Sequence, residues 1–132
     1  MTTTAMDLLD SIRAHLAEFE LPDLWSVHVV ASCSGPNVDV QLDRRDSPGI
    51  AGGLLAWADT LTEVTVEACR VPNGKSVHLS VMGQLPNGVL VRVFGGVPFT
   101  GRGIGGDLAP DASKTVPLAV LREQATLGKV TV

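Results

Sequence analysis

The patterning of this chain predicts an α+β fold: an antiparallel β-sheet of about five strands with helices on one face. Three observations carry the expectation. Two segments repeat apolar residues at helical period, five runs alternate apolar and polar residues with period two, and two Asn-Gly turns join the last three of those runs. The expected order along the chain is α-β-β-α-β-β-β, followed by a Gly/Pro-rich arm and a short C-terminal helix. In domain terms this reads as a single α+β domain over 1–97 and an arm over 98–132.

The first helix is expected over residues 5–19. Thr4 and Asp7 have the spacing of a capping box, and Leu8, Ile12, Leu16 and Phe19 form one apolar stripe. Asp7, Asp10 and Glu18 lie opposite, and Pro22 ends the segment. In the first strand Trp25, Val27 and Val29 alternate with Ser26, His28 and Val30, so Trp25 is expected on the buried side. After the turn Ser34-Gly35-Pro36-Asn37, Val38, Val40 and Leu42 alternate with Asp39 and Gln41. The loop Asp43-Arg44-Arg45-Asp46 neutralises itself. Ser47 then caps a second helix, with Pro48 in its first turn, where the missing N–H costs nothing. Ile50, Leu54, Trp57, Ala58 and Leu61 form its apolar stripe, and Gly52 and Gly53 permit close approach to a sheet.

The next three runs fix a register. Val64, Val66 and Ala68 precede Pro72-Asn73-Gly74, and Val77, Leu79 and Val81 follow it. A two-residue Asn73-Gly74 loop sets Cys69 opposite His78, Ala68 opposite Leu79 and Val66 opposite Val81, with both apolar rows on one face. A three-residue Pro86-Asn87-Gly88 loop with Gly88 left-handed pairs Val81 with Val93. Beyond Phe94 glycine and proline accumulate, which reads as an irregular arm. A helix over 117–127 is closed by Gly128 and followed by a strand-like end over 129–132.

A chain of 132 residues buries a sizeable core without disulfides or metal. With two Trp, three Phe and no Tyr, Val and Leu must fill that core, which favours strands. Residues 1–23 hold five acids against Arg13 alone, while residues 24–132 hold nine acids and nine bases. The whole net charge of −4 therefore sits on the N-terminal segment. Without a basic stripe the chain is not expected to bind nucleic acid. It shows neither a signal-peptide pattern nor a long apolar run, so a cytoplasmic protein with reduced Cys33 and Cys69 and no membrane partner is expected.

Candidate chemistry is sparse. Gly101-Arg102-Gly103-Ile104-Gly105-Gly106 contains G-x-G-x-x-G but lacks the strand-to-helix junction that a dinucleotide site needs. His28, Cys33, Cys69 and His78 are the one set resembling soft metal ligands, without any closely spaced pair. Cys69 with His78 has the residue types of a nucleophile and its base, on a hairpin that offers little concavity. Glu67, Asp39 and His28 across the polar face are an acid/base set that is no stronger. No catalytic, cofactor or metal site is assigned, and no cofactor is expected.

The stronger signal is a surface. Both helices carry one narrow stripe and cover one sheet face. The other face then presents His28, Val30, Thr65, Glu67, Cys69, His78, Ser80, Met82, Leu90, Arg92 and Phe94, a mixture of apolar residues and Arg typical of interfaces.

The stretch Val77-His78-Leu79-Ser80-Val81, Leu85-Pro86-Asn87-Gly88 and Val91-Arg92-Val93-Phe94-Gly95-Gly96-Val97, with Leu54-Ala56-Trp57-Ala58 upstream, resembles short proteins of unassigned function from actinobacteria and their mobile elements. The resemblance spans about residues 20–98. It implies a shared fold and carries no catalytic residue across.

The sequence therefore points to a non-enzymatic interaction or regulatory module, homodimeric through the exposed sheet face or the C-terminal arm. One alternative is a small-molecule or metal-binding domain, an enzyme included, sited near His28, Cys69, His78 and Arg92. Another is an acidic inhibitor or immunity-like protein that uses Asp7, Asp10 and Glu18 against a basic partner.

Overall fold

The computed structural model describes residues 4–31, 36–43 and 46–127. Along the chain run α1 (Ala5–Glu18), β1 (Leu24–Val29), β2 (Val38–Leu42), α2 (Ser47–Ala58), β3 (Thr62–Arg70), β4 (Ser76–Gln84), β5 (Leu90–Pro98), β6 (Ser113–Thr115) and α3 (Leu118–Leu127). The protein is α+β. Its sheet has six strands in the order β1-β2-β5-β4-β3-β6 and is mixed.

This corrects the expected sheet of five antiparallel strands in two respects. First, β2 and β5 are parallel, with Val40 beside Val93. The reason lies in α2, which returns the chain to the end where β2 began. β3 therefore runs in the direction of β2, and two hairpins later β5 does so again. Alternation reports that a strand is half-buried, not the direction of its neighbour. Second, the Gly/Pro-rich stretch supplies β6, which pairs antiparallel with β3. Its three residues are all exposed, too few and too uniform to show period two.

The expected hairpin register is observed. Val66 pairs with Val81, Ala68 with Leu79 and Cys69 with His78, and Val81 pairs with Val93. The β3–β4 turn differs in form. The Gly74 N–H donates to the Val71 carbonyl, and Val71 N–H donates to Ser76, so four residues form the loop. Loops of two and four residues about one midpoint give the same register, which is why the pairing holds. In the β4–β5 turn the Gly88 N–H donates to Leu85, and Gly88 is left-handed at φ 89°.

Thr4 and Asp7 form the capping box of α1, each side chain accepting the other's backbone N–H. The Thr4 N–H, and after it the Thr4 hydroxyl, hold the Asp7 carboxyl below the usual carboxylate range. Leu8, Ile12 and His15 are the buried side of α1. The cap of α2 is Asp46, one residue before the expected Ser47. Its carboxylate accepts the Gly49 N–H, and a carboxylate suits the positive helix end. Ser34 and Gly35 of the expected β1–β2 turn and the pair Arg44-Arg45 lie outside the described residues, as do Gly128 and the strand-like end.

The core lies between the helices and one face of the sheet. Ile50, Ala51, Leu54 and Trp57 of α2 are fully buried, with Val40, Val93, Leu79 and Val81 beneath them. Full burial of each such branched side chain contributes about 1.5–3 kcal/mol. At Gly95 a Cβ would come within 3.0 Å of Ile50, so the glycine sets how closely α2 approaches β5.

In the described part of the expected arm 98–132, Val116 and Leu121 are buried, and α3 packs against α2. Arg70 fastens the intervening turns. Its Nε donates to the Gly74 carbonyl at 3.0 Å and its Nη1 to the Leu108 carbonyl at 2.9 Å. The guanidinium lies 3.5 Å from the centre of the Phe99 ring, a cation–π contact.

Candidate functional site

Among the described residues no helix covers one face of the sheet, and the ladder registers set out its side chains in three rows. One row crosses His28, Asp39, Arg92, Met82 and Thr65. The next crosses Ser26, Gln41, Phe94, Ser80, Glu67 and Thr115. The third crosses Gly96, His78, Cys69 and Ser113. Leu90 lies opposite Gln84 at one end. Val30 donates its N–H to Asn37 just beyond β1. His28, Val30, Glu67, Cys69, His78, Met82, Leu90, Arg92 and Phe94 thus share this face by register.

The centre of the face is a linked cluster. Arg92 Nε donates to Asp39 Oδ1 at 3.0 Å across the parallel β2/β5 seam, with both side chains about one-third exposed. The Arg92 guanidinium lies 4.7 Å from the Phe94 ring centre. On its other side Phe94 stacks with His78, with centroids 5.9 Å apart and planes at 28°. Arg92 is therefore neutralised by Asp39 while its flat group packs on an aromatic ring. This arrangement displays apolar area with little net charge.

Trp25 is the residue that sequence reasoning misplaced. The β1/β2 ladder pairs Leu24 with Leu42 and then Ser26 with Gln41, so Trp25 is the extra residue of a β-bulge. The bulge hands the inward position to Leu24 and leaves Trp25 67% exposed. Period-two reading carries alternation straight through such a site. The available signal was the adjacent pair Leu24-Trp25, two apolar residues where alternation allows one.

Trp25, Gln41, Ser76, His78, Phe94 and Gly96 line a concavity of ≈ 510 Å³. Gly96 forms part of its floor, because a Cβ there would lie 3.2 Å from the His78 ring. Gln41 and Gly96 were not among the expected site residues. Nothing in an alternating run distinguishes a glutamine that lines a hollow from one that faces water.

The chemistry suggested by residue types finds little geometric support. Cys69 lies across from His78, but its thiol is directed at the Arg70 carbonyl, 3.8 Å away, while the His78 ring stacks on Phe94. Among the described residues no three His, Cys, Asp or Glu side chains are grouped to hold a metal ion. Cys33 lies outside the described residues. The glycine run 101–106 folds as successive turns, with Gly103 bonded to Thr100 and Gly106 to Gly103. β5 ends at Pro98 and the next helix begins at Leu118, so the run joins no strand to a helix N-terminus. Of the acids on α1, Asp7 serves the cap and Asp10 pairs with Arg13 at 3.2 Å. Among the described residues no helix is long and apolar enough to cross a membrane. No family model, no curated protein and no solved structure matches the chain.

Proposed function

We propose that this protein is a non-enzymatic interaction module that works as a homodimer, with the helix-free sheet face and its Trp25 margin as the contact surface. One observation carries the reading. On this face Trp25 is exposed, Phe94, Met82 and Leu90 are half-buried, Arg92 is neutralised by Asp39, and no helix among the described residues covers it. Exposed aromatic area with a stacked arginine is the composition of an interface core.

The two tryptophans make the test direct. Trp57 is fully buried and Trp25 is open, so iodide quenches one and spares the other. A dilution series followed by light scattering and iodide quenching is expected to show a dimer whose Trp25 becomes shielded as the dimer forms. A monomer at every concentration, with Trp25 quenched throughout, refutes the reading.

The ≈ 510 Å³ concavity over Gly96 favours a second reading, a site for a small planar ligand held between Trp25 and the Phe94–His78 stack. It predicts uptake of an aromatic probe such as indole that is lost in Gly96→Val and leaves light scattering unchanged.

A further inference from the structure

The two edges of the sheet are built differently. β6 is three residues long and carries Lys114, which pairs with Asp107 at 2.7 Å. Pro110 and Pro117 flank the strand. Short length, a lysine and nearby prolines are the usual defences of a sheet edge. The opposite edge, β1, is twice as long and carries no lysine, although Pro22 stands two residues before it and Trp25 bulges within it. Its six residues, Leu24-Trp25-Ser26-Val27-His28-Val29, include no lysine, no carboxylate and no proline.

The backbone of β1 is set for pairing. Val30 N–H donates to Asn37, so period two directs the hydrogen-bonding groups of His28 and Ser26 toward β2 as well. The N–H and C=O groups of Val27 and Val29 then point outward, where no described strand accepts them. Trp25 and Val30, two of the large exposed apolar side chains, lie on this strand and just beyond its end.

We propose that β1 is a dimerisation strand: two copies of this chain pair antiparallel along β1, joining their sheets into one. The proposal deepens the reading of the protein as a homodimeric module and rests on it. A second copy fits this edge for a reason of charge. β1 carries no carboxylate, lysine or arginine, so self-pairing sets no permanent like charges opposite each other. Antiparallel pairing also places the two Asp23 residues, just before β1, at opposite ends of the joined strands. The remaining repulsion comes from the acidic N-terminal segments and is screened by salt. Dimerisation therefore strengthens from low to moderate ionic strength.

Amide hydrogen exchange on the full chain, with light scattering on the same samples, tests the contact. In the dimer Val27 and Val29 are expected to exchange at least about tenfold more slowly than at dilutions where the protein is monomeric, because their outward N–H groups become bonded. Val27→Pro removes one outward donor and no β1–β2 bond, a place where an edge strand accepts proline. It is expected to give a folded monomer by circular dichroism and light scattering. If that variant does not fold, the exchange measurement on the unaltered chain decides. A dimer in which Val27 and Val29 exchange as fast as in the monomer overturns the β1 contact and leaves the sheet-face reading standing. A wild-type chain that stays monomeric overturns both.

Discussion

His15 is the residue whose environment departs furthest from what its type suggests. It is buried on α1, with its ring 5.6 Å from Trp57 and 4.8 Å from Phe19. Its Nε2 lies 2.7 Å from Thr60 Oγ1, and that hydroxyl donates its only proton to the Trp57 carbonyl. The hydroxyl must therefore accept, so Nε2 carries the proton of a neutral imidazole. Burial lowers the His15 pKa below 6.5, with Glu18 opposing in the smaller part. A depressed folded pKa means that the unfolded chain takes up the proton first. The His15 contribution to stability is thus complete above about pH 6.5, declines as the pH falls below it, and levels off once the folded form also protonates. Urea midpoints measured from pH 8 to pH 5 should show this decline in the native chain and a flatter profile in His15→Leu. Parallel profiles would remove the assignment.

Turns and strands were the most legible elements, because their rules are local. Asn-Gly and a valine every second residue determine a register without knowledge of the fold. The two turn glycines separate strain from contact. Gly88 has φ 89° and open space around it, whereas at Gly74, with φ 75°, a Cβ would lie 3.1 Å from Arg70 Nη2. Gly88→Ala is expected to cost about 1–2 kcal/mol from backbone strain alone. Gly74→Ala should cost more, because it also displaces the side chain that binds Leu108. Equal losses in urea denaturation would mean that Arg70 shifts freely. What escaped the sequence at this scale has equally local causes. A bulge at Trp25 breaks the period that reads it, a three-residue strand shows no period, and Asp46 outcompetes its neighbour Ser47 as a cap through its charge.

At the scale of the whole molecule, the sequence conveyed the class and one face of the sheet but not the strand order. The eleven residues expected on the helix-free face follow from alternation alone. The Arg92–Phe94–His78 grouping follows from β5 and its hairpin with β4, whereas the addition of Asp39, Gln41 and Trp25 depends on β2 lying beside β5, which no local pattern encodes. The Asp39–Arg92 pair is a product of that adjacency, 53 residues apart in sequence. The site was therefore legible as an arrangement on β3, β4 and β5 and illegible where β2 joins them.

The same seam governs how the molecule comes together in time. β3, β4 and β5 form a meander of short loops, and β1 with β2 is a separate hairpin, so each half can assemble from local contacts. The β2–β5 pairing unites them in the sheet, and it must close a chain segment of roughly fifty residues before its contacts repay the entropy. That closure is the expected rate-limiting step of folding. Val40 and Val93, fully buried and adjacent across the seam, should slow refolding when shortened to alanine. Leu121→Ala in α3 should chiefly hasten unfolding. Stopped-flow chevrons for the three variants would show it, and a Leu121→Ala effect confined to the refolding arm would reverse the order. The place where the Asp39–Arg92 pair sits is thus also the kinetic latch of the fold.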